Sequence, residues 1–214
     1  DIVIGNPPYI RQENIKELKP HLEKIYKCYN GTADIYTYFF EQGYNLLKPN
    51  GNLTFITSNK WTRAKYGKEF REFLLNNTKL KNYIDFNGVK VFENATVDTS
   101  IIIFEKNSQN VDILKNENKF IFCSIGNDLQ KDNLNDYIEK NKFDYNQNDL
   151  TIESFSFASI DDLKIKKKIE SKGIPLKNWD IKINYGIKTG FNEAFIISKE
   201  TKDELIKEDP KSAE

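Results

Sequence analysis

Four consecutive residues, Asn6-Pro7-Pro8-Tyr9, carry the clearest chemical signal in the sequence. They follow residues 1–4, a short run that predicts a buried strand, and in an open α/β sheet ligands bind beyond the carboxyl ends of the strands. An asparagine side chain and a proline backbone each offer a carbonyl acceptor, and two adjacent prolines restrict the backbone and remove its donors. The motif therefore predicts a rigid site that holds the two protons of a planar amine.

Such a site suits an amine whose lone pair is delocalised into a ring or a carbonyl. Two acceptors, the Asn6 side-chain carbonyl and the Pro7 backbone carbonyl, would favour a more tetrahedral nitrogen whose lone pair points at a methyl donor. Rigid placement of the reactants is then the main catalytic resource. Tyr9 offers a flat face on which an extruded base can stack, worth about 1–3 kcal/mol. The structural alternative is a proline-rich turn that only ends a strand.

Two stretches of a chain with zero net charge are basic, as nucleic-acid binding requires. Residues 58–71 contain five cationic side chains and a single acidic one, and residues 161–190 are rich in lysine. In the first stretch, Lys60, Arg63 and Lys65 follow a predicted strand and are expected on the same side as the motif. Solvated surface charge is the alternative interpretation of both stretches.

The elements around these residues alternate between strand and helix, which predicts an α/β fold with a mostly parallel sheet. Beyond residue 107 the sequence becomes rich in Asn, Asp and Lys, which indicates a connecting region with some irregular strands. The predicted strands are residues 1–4, 53–57, 80–86 and 99–104; the predicted helices are residues 13–29, 34–47, 66–76 and 160–172; a strand–turn–strand is predicted over 182–198.

Composition narrows the classes of function. The chain has no apolar run long enough to span a membrane and no visible signal peptide, so a cytoplasmic location is expected. Cys28 and Cys123 lie far apart and match no metal or redox motif. A single histidine, His21, argues against most zinc sites and histidine-based triads, and no metal site is expected.

Several later segments, in this order after the motif, resemble the S-adenosylmethionine-dependent DNA adenine-N6 methyltransferases of type IIG and Taq type. The resemblance covers most of the chain and is weakest between residues 107 and 159. The segments are Asp34-Ile35-Tyr36, Gly51 to Trp61, Tyr66-Gly67 with Arg71, Val91 to Ser100, and Gly186 to Phe195.

The resemblance implies roles for individual residues. Asn6 and Pro7 would hold the adenine amine, Tyr9 and Phe92 would contact the flipped base, and Asn6 and Pro8 would border the methionine end of S-adenosylmethionine. The partner would be double-stranded DNA, with phosphate contacts expected from Lys60, Arg63 and Lys65.

The resemblance also implies a domain organisation. Residues 1–106 would be the C-terminal half of a Rossmann-like methyltransferase domain, 107–159 a connecting region, and 160–214 the start of a mixed α+β target-recognition domain. The family's glycine-rich cofactor loop precedes the motif, so we expect this chain to be an inactive piece of a larger protein that contains most of the cofactor site and, in type IIG enzymes, a nuclease. The sheet edge left unpaired would favour a homodimer.

Two other functions remain open from the residues. Methyltransferases that act on RNA bases or on protein side-chain amides use the same motif, because those nitrogens are also delocalised. The segments around Phe92 and Gly186 argue against both. The chain could also act only as a non-catalytic DNA-binding fragment through its basic stretches.

Overall fold

The computed structural model describes residues 1–92, 97–107, 118–126, 128–129, 133–157, 160–182 and 197–210. The chain divides into two compact units, Asp1–Ala158 and Ser159–Glu214. The motif and the basic stretch 58–71 both lie in the first unit.

The first unit is built on a six-stranded mixed sheet of order β1-β2-β4-β3-β5-β6. β1 runs parallel to β2 and β3 parallel to β5, whereas the pairs β2–β4, β3–β4 and β5–β6 are antiparallel. The strands are β1 (Ile2–Gly5), β2 (Asn52–Ser58), β3 (Thr78–Asp85), β4 (Thr99–Lys106), β5 (Lys119–Ser124) and β6 (Phe143–Asn146).

The α/β class is confirmed, but the prediction of a mostly parallel sheet is wrong. A parallel connection needs a crossover, usually a helix. The described part of the link between β3 and β4 contains no helix, so β4 returns antiparallel and inserts between β2 and β3. The insertion places the carboxyl ends of β2 and β3 and the start of β4 next to one another at the same end of the strands.

Among the described residues, the helices of the first unit are α1 (Lys19–Ile25), α2 (Tyr36–Leu46), α3 (Lys68–Asn77) and α4 (Leu134–Asn141). The predicted helix over residues 13–29 is instead a 3₁₀ segment, Gln12–Leu18, followed by α1. Pro20 lies in the first turn of α1, where its missing N–H costs nothing, so the α-helix begins there.

Aromatic side chains of α2, α3 and the sheet form the core. The ring of Phe40 lies 5.1 Å from Phe55 and 4.7 Å from Phe70, and Trp61 is fully buried 4.9 Å from Phe70. A Cβ atom at Gly43 would fall 2.4 Å from a Leu53 methyl group, so glycine lets α2 approach β2 closely. The packing of Trp61 confirms that it belongs to the core.

The range 107–159, expected as a connecting region, contributes β5, α4 and β6 to the first unit. Short apolar islands supply the buried strand positions, such as Phe120, Phe122 and Tyr145. The buried Gln147 side chain donates to the Thr78 carbonyl at 2.9 Å and accepts from the Leu80 amide at 2.9 Å. This side chain thereby pairs the backbone of β3 next to its irregular register.

β1 forms one edge of the sheet, and two of its side chains are exposed to solvent, so the prediction of a buried strand over residues 1–4 is wrong. Ile2 is 72% and Ile4 77% exposed.

None of the helices in the described ranges is long and apolar enough to cross a membrane.

The second unit contains helices α5 (Ile160–Lys172) and α6 (Lys199–Glu208). The Ser198 hydroxyl caps α6 by accepting from the Thr201 amide at 3.2 Å. Most of the predicted strand–turn–strand, including Gly186 to Phe195, lies outside the described residues.

Candidate active site

The Asn-Pro-Pro-Tyr motif begins directly at the carboxyl end of β1, as predicted. Asn6 and Pro8 are exposed and Pro7 is buried, so the middle of the motif is anchored while Asn6 reaches the surface. None of the described residues donates a hydrogen bond to the Asn6 side chain or the Pro7 carbonyl. Among the described residues, both acceptors therefore lack a protein donor.

The segment after the motif is held by the start of α2. The Ile35 amide donates to the Ile10 carbonyl at 3.1 Å, and the Gln12 amide donates to the Asp34 carboxylate at 3.2 Å. These two bonds join Asp34-Ile35-Tyr36 to the residues that follow the motif. The segment thereby fixes the path of the chain after Tyr9.

The Tyr9 ring is supported on one side and remains 40% exposed. Its centroid lies 5.7 Å from that of Tyr36, and the Tyr36 hydroxyl lies 2.9 Å from the Tyr66 hydroxyl. Partial burial raises the pKa of Tyr9, against a hydrogen bond with the Ser58 backbone that lowers it. Burial likewise raises the pKa of Tyr36 and of Tyr66, so the three phenols stay neutral near pH 7.

A cavity of about 570 Å³ opens beside Tyr66, where β2 and β3 end and β4 begins. The lining combines two cationic side chains with two carboxylates and several neutral polar groups. The lining residues are Asn59, Lys60, Thr62, Arg63, Ala64, Tyr66, Asp85, Asn87, Gly88 and Asp98.

Asp85 joins two of the loops that line this cavity. One of its carboxylate oxygens accepts from the Asn59 side-chain amide at 3.0 Å and from the Asn87 backbone amide at 2.9 Å. Asn87 and Gly88 have φ values of 46° and 82°, a left-handed turn that asparagine and glycine tolerate. The backbone amide of Asn59 donates to the Asp98 backbone carbonyl at 2.9 Å. The cavity wall is therefore tied to both neighbouring strands.

The structure brings together only some of the side chains predicted to contact DNA. Lys60 and Arg63 are exposed and line the cavity. Lys65 is exposed and Phe92 half-buried, and among the described residues neither belongs to the cavity lining. The contacts expected of Phe92 with a base and of Lys65 with phosphate remain predictions.

Six polar residues of the cavity were given no role from the sequence, although three of them lie in the segments that carry the family resemblance: Asn59, Thr62, Tyr66, Asp85, Asn87 and Asp98. Asn59 directly follows β2, Asp85 ends β3 and Asp98 directly precedes β4. Polar side chains at the ends of strands that meet at one edge are a usable signal, but only once the insertion of β4 between β2 and β3 is known.

The fold and the motif at the end of β1 define a Rossmann-like α/β fragment of the kind found in methyltransferases. Residues 1–92 match the Eco57I restriction-modification methylase family. The resemblance to restriction–modification methyltransferases that the motifs indicated is therefore confirmed.

Comparison with individual proteins agrees with this assignment. The chain is 29% identical over 218 residues to the type II methyltransferase M.BstVI of Geobacillus stearothermophilus, covering 95% of this chain and 38% of that protein. It is 34% identical over 110 residues to the type II restriction enzyme and methyltransferase RM.Eco57I of Escherichia coli, covering 50% and 11%. The chain thus spans well under half the length of either relative.

A solved structure supports the fold. The type IIG restriction endonuclease BpuSI superposes with a TM-score of 0.52 at 20% identity, covering 97% of this chain and 27% of that one.

Proposed function

We propose that the protein containing this chain is a DNA adenine-N6 methyltransferase that modifies a specific duplex site in a restriction–modification system. The observation that carries the proposal is the Asn-Pro-Pro-Tyr motif at the carboxyl end of β1, with an exposed Asn6 and a Pro7 carbonyl to which no described residue donates. The names of the type II relatives support DNA as the substrate.

In this proposal the chain positions the amine instead of deprotonating it. The Asn6 side-chain carbonyl oxygen and the Pro7 backbone carbonyl oxygen each accept a hydrogen bond from one N–H of the adenine amine. The nitrogen lone pair is thereby turned out of the ring plane, toward the methyl donor. One of these two protons leaves to solvent after the methyl group has been transferred. Precise placement of the nucleophile supplies most of the rate enhancement.

Tyr9 would hold the base once it leaves the duplex. Its exposed face stacks on the adenine ring, and Tyr36 supports it from the other side. Phe92 would supply a second aromatic contact. The cationic Lys60 and Arg63 on the nearby cavity wall would bind phosphates of the DNA strand, with Lys65 as a further phosphate contact.

The methyl donor in this proposal is S-adenosylmethionine, which supplies an activated methyl group when bound. The residues at the end of β1 fit one end of it: Asn6 and Pro8 are both exposed there and would border its methionine part. We propose no further cofactor contacts from this chain.

Asn6→Ala is the direct test in the protein that contains this chain. We expect loss of nearly all methyl transfer to duplex DNA, with the affinity for S-adenosylmethionine largely kept. Asn148→Ala, which truncates an exposed asparagine on the far side of the sheet, is the matched control and should leave turnover unchanged. Near-normal turnover of Asn6→Ala would refute the assigned role.

The nature of the substrate is tested separately with a labelled methyl donor. Duplex DNA, transfer RNA and a protein extract are offered in parallel. Label in DNA alone supports the proposal, whereas label in RNA or protein selects the related amide or base methyltransferases. DNA binding without label in any arm would indicate a non-catalytic DNA-binding module. DNA cleavage by the same protein would show that a restriction endonuclease is fused to it.

We also propose that this chain alone pairs with a second copy through β1, whose Ile2 and Ile4 are exposed at the sheet edge. Sedimentation of the purified chain should show a dimer that Ile4→Lys converts to a monomer. Ile165→Lys, at an exposed isoleucine of the second unit, should not. A wild-type chain that stays monomeric at high concentration would refute the pairing.

A further inference from the structure

The guanidinium of Arg71 is buried in the first unit and holds two distant segments of backbone. Arg71 lies in α3 and is only 1% exposed. It donates to the Trp61 and Ala64 carbonyls, the latter at 3.0 Å, in the loop after β2. It also donates to the Ile152 carbonyl at 2.8 Å and the Glu153 carbonyl at 2.9 Å, in the segment after β6.

This charge is satisfied by carbonyl dipoles, because no carboxylate in the described ranges forms an ion pair with it. The side chain of Glu153 instead pairs with Lys68 at 3.1 Å. Burial accordingly lowers the pKa of Arg71. Stability alone does not explain a buried arginine, because well-packed apolar side chains often stabilise a core as well as a buried charge does. An arginine differs from them in its planar fork of five donors, which can hold several carbonyls at fixed positions.

Neighbouring contacts hold the same loop from other directions. The Phe155 amide donates to the Thr62 carbonyl at 2.8 Å, and the Thr62 hydroxyl donates to the Asn59 carbonyl at 2.7 Å. Within the loop, Gly67 lies so close to Trp61 that a Cβ atom at Gly67 would fall 2.1 Å from the Trp61 carbonyl oxygen. Residues 59–67 are thus fixed as one piece against α3 and residues 152–155.

This loop supplies Lys60, Arg63 and Tyr66 to the cavity wall. We infer that Arg71 is the positioning residue of the candidate active site: it holds the loop so that its two cations and Tyr66 face the bound DNA strand. The inference rests on the proposed function for the identity of the ligand. It does not rest on that function for the clamp, by which we mean the hydrogen bonds that Arg71 donates to residues 61, 64, 152 and 153.

A charge-conserving variant separates positioning from electrostatics. Arg71→Lys keeps the net charge, so any change in the salt dependence of DNA binding must come from displaced contacts. The slope of log affinity against log salt is negative, and each lost phosphate contact reduces its magnitude by about 0.9. We expect Lys60→Gln with Arg63→Gln to reduce the magnitude by about 2 and Arg71→Lys to reduce it by a similar amount. All three changes together should reduce it no further.

The matched control is Lys106→Arg. Lys106 is also a cation held by backbone carbonyls, those of Tyr44 at 3.0 Å and Leu47 at 2.9 Å, but at the opposite end of the sheet. It should leave the slope unchanged. A slope unaffected by Arg71→Lys, or lowered additively with the Lys60 and Arg63 changes, would overturn the inference.

Hydrogen exchange tests the clamp without any DNA. The amides of Thr62, Arg63, Ala64 and Gly67 bond within the loop, and Arg71→Lys should raise their exchange at least tenfold while the segment 43–51 stays protected. Unchanged exchange in the loop would refute the clamp. If exchange rises but the wild-type protein does not bind DNA, the proposed function fails and the clamp stands.

Discussion

Gly67→Ala is the change that most sharply tests how the loop after β2 is built. The backbone of Gly67 has φ −82° and ψ −1°, which alanine adopts without strain. The added Cβ would lie 2.1 Å from the Trp61 carbonyl oxygen and 2.7 Å from a guanidinium nitrogen of Arg71. Cβ contacts below 3.0 Å are essentially never found, so the backbone at Trp61 and the backbone at Gly67 must separate by roughly 1 Å.

The expected loss of stability follows from two unfavourable contributions and one favourable one. Overpacking costs about 1–3 kcal/mol. Losing a hydrogen bond between the Trp61 carbonyl and a charged donor costs about 1.5–3 kcal/mol. The lower entropy of an unfolded chain with alanine returns about 0.4–1 kcal/mol. We expect Gly67→Ala to lower the free energy of unfolding by about 2–4 kcal/mol.

The assay is urea unfolding followed by tryptophan fluorescence. Trp61 is fully buried and Trp179 already 55% exposed, so the shift in emission reports mainly the unfolding of the first unit. Gly31→Ala is the control: its Cβ would meet only the Tyr29 hydroxyl at 3.6 Å, and its midpoint should stay close to that of the wild type. A Gly67→Ala chain as stable as the wild type would refute the close approach of Gly67 to the Trp61 carbonyl and to Arg71.

Three further predictions concern the site and the fold. Tyr9→Ala should reduce turnover far more than Tyr9→Phe, because stacking needs the ring and not the hydroxyl; equal turnover, with unchanged 2-aminopurine fluorescence at the target position, would exclude stacking. Gln147→Ala leaves a β3 amide and a β3 carbonyl unpaired and should cost about 2–4 kcal/mol in urea unfolding, whereas Asn148→Ala should cost almost nothing. Burial raises the pKa of the Cys28 thiol well above 9.0, so the neutral thiol stabilises the fold fully below pH 9.0 and this stabilisation is lost as the pH rises past that value. Cys28→Ala should therefore reduce the fall in the free energy of unfolding above pH 9.0. An equally steep fall in the variant would contradict a raised pKa at Cys28.

The sequence predicted the parts of the site that depend on local pattern. The position of Asn6 and Tyr9 after β1 follows from an apolar run that ends at a glycine and two prolines, and most element boundaries fall within two residues of those observed. The polar cavity was not predicted, because Asp85 and Asp98 meet Asn59 only after β4 inserts between β2 and β3.

Arg71 illustrates what local pattern leaves out. It was grouped with the basic side chains of residues 58–71, yet it is buried, because its partners Ile152 and Glu153 lie more than eighty residues away in the chain. No periodicity within α3 reports such a partner. The short apolar islands around Phe120 and Tyr145 were likewise too brief to predict two strands without knowing that β5 lies beside β3 and β6 beside β5.

The central proposal is tested most directly by identifying the methylated base. Duplex DNA is incubated with S-adenosylmethionine and the protein that contains this chain, digested to nucleosides and analysed by mass spectrometry. We expect the wild type to form N6-methyladenine and Asn6→Ala to form almost none. A methylated cytosine in its place, or N6-methyladenine formed equally well by Asn6→Ala, would contradict it.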